Sequence, residues 1–346
     1  WGTVHNGGWA SKNFVTRNPL RIAEEGGWKK EDHKFLTLDG AIDINLYKGL
    51  VLTGQITSDM RDKKQKTYDG FLPVVPQFAI PGFPEPGYEG GKDQKESKME
   101  YNWEDYRRMT YNAFLNYDWS NNIHNIKALV AMSYEHYEYQ QQKSSRKDFP
   151  TNGMNGMNGG STAPGMVAAE GPLHEEKLLS YFGRVNYDYL GKYLAEINFR
   201  RDGSSVFGSE SRWGNFWSIG GKWRASSEEF LRDNEIITNA ALRASYGTVG
   251  NQDIGWYAAR GFYSSGYNYN GVSGMVPTSI PNPELTWEVA KKFNVGFDLS
   301  FINRLHLAVD YYNEKTSDAL FEVPLSMTTG LTNTFQNIGA IRNQGL

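Results

Sequence analysis

The chain has 346 residues, 39% hydrophobic and 14% aromatic, with 37 Gly, 13 Pro, no Cys and a formal net charge of -3. That near-neutral balance, with both signs scattered, argues against nucleic acid as a partner, and the lack of Cys excludes disulfides and thiolate metal sites. No stretch reaches the about 18 consecutive apolar residues of a membrane-spanning helix, and the start at Trp1 is not a charged segment leading into an apolar core.

In chain order, the first regular pattern lies at 36–46, where Leu36, Leu38, Ile42, Ile44 and Leu46 alternate with Thr37, Asp39, Asp43 and Asn45. A period of two with one apolar face predicts a strand. Lys48 and Gly49 turn the chain, and 50–60 alternate again as the second arm of a hairpin. A second hairpin joins 106–119 to 124–139. In the third, Leu179, Tyr181, Val185, Tyr187 and Tyr189 share one phase against Ser180, Arg184, Asn186 and Asp188. After Leu190, Gly191 and Lys192, Tyr193, Ala195, Ile197 and Phe199 alternate with Leu194, Glu196, Asn198 and Arg200. Two further hairpins pair 213–225 with 239–249 and 285–301 with 305–315, giving about ten strands. All 13 Pro fall outside these strands, as the loss of a ladder donor requires.

Soluble sheets favour strands of about 5 to 6 residues, whereas a tilted membrane strand needs about 9 to 11, and the predicted strands run from about 10 to about 17. About ten strands, each with about five outward apolar side chains, present on the order of 5,000 Å² of apolar surface. Covering it is worth on the order of 100 kcal/mol, so water is not its neighbour. The outward phase also collects Tyr117, Trp119, Tyr187, Tyr189, Tyr193, Trp223 and Phe301 beside the short turns, as an interfacial girdle does. Lys291 lies toward the other end, ten residues from Phe301, or about 25 Å along the normal of a strand tilted near 45°. The fold class expected is therefore all-β, a transmembrane antiparallel β-barrel spanning the outer membrane many times with its outward face in lipid.

Connections alternate in length. The short ones are 48–49, 120–123, 190–192 and 302–304, with 226–238 somewhat longer; there Ser226 and Glu229 have capping-box spacing and predict one helical turn. The connections 61–105, 140–177, 203–212, 250–284 and 316–334 are mostly long and belong on the extracellular side. Within them, 151–165 reads as flexible from its Gly, Asn and Ser content. Tyr101, Trp103, Trp256, Tyr257, Tyr263, Tyr267 and Tyr269 are the candidate ligand-stacking aromatics, the alternative being that they pack loops on one another. Asp39, Asp43, Arg108, Arg184, Glu196, Arg200, Arg243 and Asp310 fall on the lumenal phase, either lining a polar path or satisfying one another in networks.

Enzymatic signatures are missing. The His residues are dispersed, no HExxH motif occurs, the Gly-rich run lacks a following Lys-Ser or Lys-Thr, and "GVSG" at 271–274 is not a nucleophile elbow. No catalytic residue, metal or cofactor is expected.

Several segments resemble the SusC/RagA-like TonB-dependent transporters of Bacteroidota outer membranes. They are "YFGRVNYDYLGKYLAEINFRRDGSSVFG", "RWGNFWSIGGKWRASSEEFL", "ALRASYGTVGNQDIG", "NPELTWEVAKKFNVGFDLSFINRLHLAVDYYNEKTSDAL" and "TTGLTNTFQNIGAIRNQGL", in the family's order; the likeness is strong over 175–346 and weaker before it. The resemblance implies a barrel of about 22 strands around an internal plug. Residues 1–346 would then be a partial barrel, with the plug, TonB box and C-terminal strands lying outside them. It further implies energy from the TonB–ExbB–ExbD complex, a SusD-like surface lipoprotein as lid, and import of an oligosaccharide or a peptide. A passive porin or an adhesin without TonB coupling is the alternative.

Overall fold

The computed structural model describes residues 3–5, 8–10, 26–70, 96–302 and 304–346. Strands β1 (Thr3–His5) and β2 (Gly8–Ala10) form a short antiparallel pair. Then come β3 (Gly27–Tyr47), β4 (Leu50–Asp69), β5 (Lys98–Ser120), β6 (His124–Lys147), β7 (Val167–Glu170), β8 (Leu173–Tyr189), β9 (Tyr193–Ser204), β10 (Trp213–Arg224) and β11 (Ile237–Asn251). The remainder are β12 (Tyr263–Tyr269), β13 (Val272–Pro277), β14 (Glu288–Phe301), β15 (Leu305–Ser317), β16 (Leu320–Pro324), β17 (Asn333–Asn337) and β18 (Ala340–Gly345). The main sheet has the order β18-β15-β14-β11-β10-β9-β8-β6-β5-β4-β3, with β7 paired to β6. From β8 to β18 each neighbouring pair is antiparallel, which short turns permit and parallel crossovers would not. All ten predicted strands are present, and β18 adds an eleventh on the edge of β15.

The chain divides into two compact units. The first comprises Trp1–Thr37, Asp59–Arg107 and Glu138–His174, and the second Leu38–Ser58, Arg108–Tyr137 and Glu175–Leu346.

In the first unit, strands run well past their expected ends: β4 has 20 residues, β5 has 23 and β6 has 24. Hydrophobic alternation gives no signal in the β4 and β6 extensions, where 61–67 and 140–147 are polar throughout. On β5, Met99, Tyr101 and Trp103 alternate with Glu100, Asn102 and Glu104, over a run shorter than the predicted strands. Cross-strand ion pairs accompany the ladder instead, with Lys63 on Glu104 at 3.3 Å and Lys143 on Glu100 at 3.4 Å. The segment 151–165 also differs from expectation. Met154 and Met157 pack against a buried cluster of Tyr68, Met99 and Phe149, and Ser161 donates its backbone N–H to Lys147 O at 3.0 Å. Glycine here accompanies an anchored connection, not a free one.

In the second unit the outward and inward phases are set by register. Val185 lies opposite Ile197, Ile197 opposite Ile219, Ile219 opposite Tyr246 and Tyr246 opposite Phe293. Those five side chains form one apolar row, all exposed at 38 to 55%. Four residues along each strand, Tyr189, Tyr193 and Trp223, three members of the predicted girdle, fall in a single row. Inward, the row Asp188, Leu194, Lys222, Arg243, Gly296 and Asp310 is predominantly polar. At the turn after β3, Gly49 has φ +77°, and a Cβ there would lie 2.1 Å from Asp118 O, so the turn admits only glycine without a shift.

The buried apolar core of this unit lies under the long connections. Val206, Phe207, Phe216, Ile254, Ala259, Leu285 and Trp287 form it, with Trp287 Nε1 donating to Arg212 O at 2.9 Å. The β16–β17 hairpin is tied to it by Asn337, whose Oδ1 accepts from Thr286 N at 2.9 Å and whose Nδ2 donates to Thr286 O at 2.8 Å. The predicted capping box does not form. Ser226 sits inside a single 3-10 turn, Ala225–Ser227, whose N-cap is Arg224 and which has no side-chain cap. Glu229, the acid at the box position, makes no side-chain cap to that turn, and the adjacent Glu228 binds Lys192 at 2.8 Å instead.

Candidate functional site

Two hollows lie along the inward phase of the second unit. The one nearer the short turns is about 520 Å³ and is lined by Asn186, Glu196, Lys222, Arg243, Ser245 and Asp310, among others. The one nearer the long connections is about 440 Å³ and includes Asn198, Arg200, Ser218, Asn251 and Gln252. They share an amide network, Asn198 Nδ2 donating to Glu196 Oε1 at 2.7 Å and to Ser218 Oγ at 3.1 Å. Volumes of this size suit a small ligand or a few units of a polymer.

Strand alternation delivers these side chains to one face, and close packing fixes two of the cations. Arg243 donates to Asp298 at 3.1 and 3.2 Å and reaches Asp310, two strands away, at 2.8 Å. It crosses Gly296, which lies between Arg243 and Asp310 in register; a Cβ on Gly296 would fall 2.4 Å from Asp310 Oδ1 and 2.8 Å from Arg243 Cζ. Arg200 is held by Asp202 at 2.7 Å and by Ser180 Oγ at 2.9 Å, with its guanidinium 5.3 Å above the Phe182 ring. Asp39 accepts from Gln55 at 2.8 Å and Thr57 at 2.5 Å, and Asp43 accepts from Thr53 at 2.6 Å. Arg184 and Lys222 stand on the same face with no acidic partner among the described residues.

Toward the long connections of the second unit an aromatic and charged shelf forms. Tyr137 and Trp256 stack with centroids 6.5 Å apart and planes at 19°, and the Arg108 guanidinium lies 5.4 Å from the Tyr137 centroid. Arg108 also faces Glu135 at 3.5 Å, and Gln252 Nε2 donates to Glu176 at 2.8 Å. Glu176 lies on β8 five residues beyond Tyr181, outside the apolar band. Burial pushes its pKa up, Glu135 and Asp253 add to the rise, and Arg108 opposes it. The Glu176 carboxyl and the Gln252 amide together offer acceptors and donors that suit hydroxyl-rich or amide-rich ligands.

The predicted aromatics do not form one cluster. Tyr101 and Trp103 lie on β5 of the first unit and not in a loop, because β5 begins at Lys98. Lys66 sits 4.9 Å from the Tyr101 centroid, and Trp103 donates to Asp62 with Lys64 over its ring at 5.0 Å. Tyr257 is a loop anchor: its hydroxyl accepts from Glu175 N at 2.8 Å, and Arg260 lies 5.1 Å from its ring centroid. Tyr263, Tyr267 and Tyr269 stand on the β12–β13 hairpin, with Tyr269 86% exposed. Sequence reasoning missed Tyr137, Glu176, Gln252 and Trp287. The inward parity of Tyr137 on β6 and of Glu176 on β8 was a usable signal, whereas Gln252 and Trp287 needed the folded connections.

A many-stranded sheet with a lipid-compatible outer face and a polar inner face defines the wall of a transmembrane β-barrel. The chain belongs to the TonB dependent receptor-like, beta-barrel family, whose model matches residues 5–346. It is a SusC/RagA-like outer-membrane protein. It is 37% identical over 238 residues to TonB-dependent receptor P3 of Formosa agariphila, covering 67% of this chain and 24% of that relative. It is 36% identical over 181 residues to TonB-dependent receptor SusC of Bacteroides thetaiotaomicron, covering 49% of this chain and 18% of SusC. The structure of the RagAB peptide importer in its "closed-closed" state aligns with TM-score 0.79 and 25% identity over 92% of this chain and 34% of its own. The chain thus spans about a quarter or less of these curated relatives.

Proposed function

We propose that this chain is wall, lumen and part of the extracellular vestibule of a TonB-driven importer of a bulky oligosaccharide. The observation that carries the reading is the Tyr137–Trp256 stack in the same unit as an inward face rich in amide, hydroxyl and carboxylate groups. Sugar rings stack on flat aromatics, and their hydroxyls exchange partners along such a polar face. In this reading a plug and TonB box lie in the longer protein, TonB–ExbB–ExbD supplies the energy, and a SusD-like lipoprotein covers the vestibule against the exposed β12–β13 hairpin. A peptide cargo is the second reading, favoured by Arg184 and Lys222, which have no acidic partner among the described residues, and by the likeness to the RagAB peptide importer.

The test is uptake of labelled neutral oligosaccharides and of labelled peptides by cells making the full-length protein, with and without TonB. Oligosaccharide uptake should need TonB and fall about tenfold in Trp256→Ala, the worth of one aromatic stack. Peptide uptake with the same TonB dependence would replace the cargo, and TonB-independent entry would point to a passive porin.

A further inference from the structure

Charges on the outward phase of the last six strands of the main sheet, from β9 to β18, have one sign. Along β9, β10, β11, β14, β15 and β18 that phase carries Arg201, Lys291, Lys315 and Arg342 and no Asp or Glu. Three of the four share one ladder row, Lys291 directly opposite Lys315 and Lys315 directly opposite Arg342. Like charges placed so are destabilising, with Cβ atoms about 5 Å apart. All three side chains are exposed, and none has an acidic partner among the described residues. One residue along, on the inward phase, Lys292 lies opposite Glu314 and pairs with it at 3.1 Å. At this height the sheet therefore pairs its charges inward and leaves the outward row repulsive.

The row has a definite height. Next to it lie the outward pairs Phe293 with Asn313 and Val295 with Tyr311, and then Phe297 with Val309, so the cations stand at the edge of the apolar band on the side of the long connections. Arg201 lies on the same side, 5.1 Å from the Trp213 ring centroid. Arg342 is steadied by Asn313, its Nε donating to Asn313 Oδ1 at 3.1 Å. This is the level of lipid head groups in the outer leaflet.

We propose that Lys291, Lys315 and Arg342 bind the phosphate groups of an outer-leaflet lipid whose acyl chains lie on Phe293, Val295 and Tyr311. Phosphate placed in the row turns a mutual repulsion into shared charge-assisted hydrogen bonds. The site is open to one side and continuous with the apolar band, which favours a lipid over a free anion. The inference rests on the lipid-facing assignment and not on import, so a failed uptake assay leaves it standing.

The experiment is native mass spectrometry of the full-length protein, titrated with bisphosphorylated lipid A, with dephosphorylated lipid A, and with inorganic phosphate. Each cation near an anionic lipid surface contributes about a fivefold gain, so the triple variant Lys291→Gln, Lys315→Gln, Arg342→Gln should lose on the order of a hundredfold in retained bisphosphorylated lipid. Lys222→Gln, on the inward face, should leave retention unchanged. The charge-conserving pair Lys291→Arg, Lys315→Arg should retain lipid, and Lys315→Gln alone should lose about fivefold, which decides the matter if the triple variant does not fold. Retention within threefold in Lys315→Gln and in any folded triple variant would overturn the proposal. So would equal retention of the dephosphorylated lipid, or displacement of lipid by equimolar inorganic phosphate.

Discussion

Replacing Gly296 by alanine should weaken the lumenal arm that Arg243 makes across it. The Cβ would enter 2.4 Å from Asp310 Oδ1 and 2.8 Å from Arg243 Cζ, so one partner must leave. The Arg243–Asp310 pair at 2.8 Å then breaks, while the bonds from Arg243 to Asp298 at 3.1 and 3.2 Å remain. Arg243 and Asp310 are 40% and 50% exposed, so solvent screening holds the pair to about 0.5–1 kcal/mol. Crowding of the displaced side chain adds about 1 kcal/mol, giving about 1.5–2 kcal/mol for Gly296→Ala. Equilibrium unfolding of the full-length protein in lipid vesicles measures it, with Asp310→Ala as the second edge of a double-mutant cycle. In the Asp310→Ala background the nearest obstacle is gone, and the cost should fall by at least about 0.5 kcal/mol. An unchanged cost in that background would refute the steric and electrostatic reasoning together.

Further outcomes follow from the two faces and from the turn after β10. Ile197→Arg, at the centre of the outward apolar row, should destabilise by about 2–4 kcal/mol in bilayers, whereas Asn186→Arg, inward and opposite Glu196, should stay within about 0.5 kcal/mol in the same unfolding assay. Glu228, outside the membrane span, has its pKa lowered to about 2 by the hydrogen bond from Lys192, with Tyr193 and Trp223 assisting. A carboxylate with a depressed folded pKa stabilises above its ordinary range and loses that contribution as pH falls toward about 2. Stability should therefore hold from neutral pH to about 5 and decline below about 4.5, and Glu228→Gln should flatten the decline.

Sequence legibility tracked the difference between the two solvents. In β8 and β9 lipid lies on one side and water on the other, so Val185, Ile197, Asn186 and Glu196 announce strand, turn and facing alike. In the outer parts of β4 and β6 neither face is apolar and alternation vanishes, while on β5 the short alternation of Met99, Tyr101 and Trp103 with Glu100, Asn102 and Glu104 reads as loop although it is strand. The vestibule was less legible still. Trp256 meets Tyr137, and Gln252 meets Glu176, across long connections that pack on a core of Phe207, Leu285 and Trp287. Those core residues lie within the segments that carry the family resemblance, so part of what identifies the chain is the anchorage of its loops rather than a ligand contact.

The most direct test of the account is the labelling of single cysteines at Val185, Asn186 and Ile197 in the full-length protein reconstituted in bilayers. Val185 and Ile197 should react with a lipid-phase probe and resist a charged aqueous maleimide, and Asn186 should do the opposite. Aqueous labelling of Val185 and Ile197 with lipid-phase labelling of Asn186 would contradict the assignment of lumen and lipid faces on which every proposal above depends.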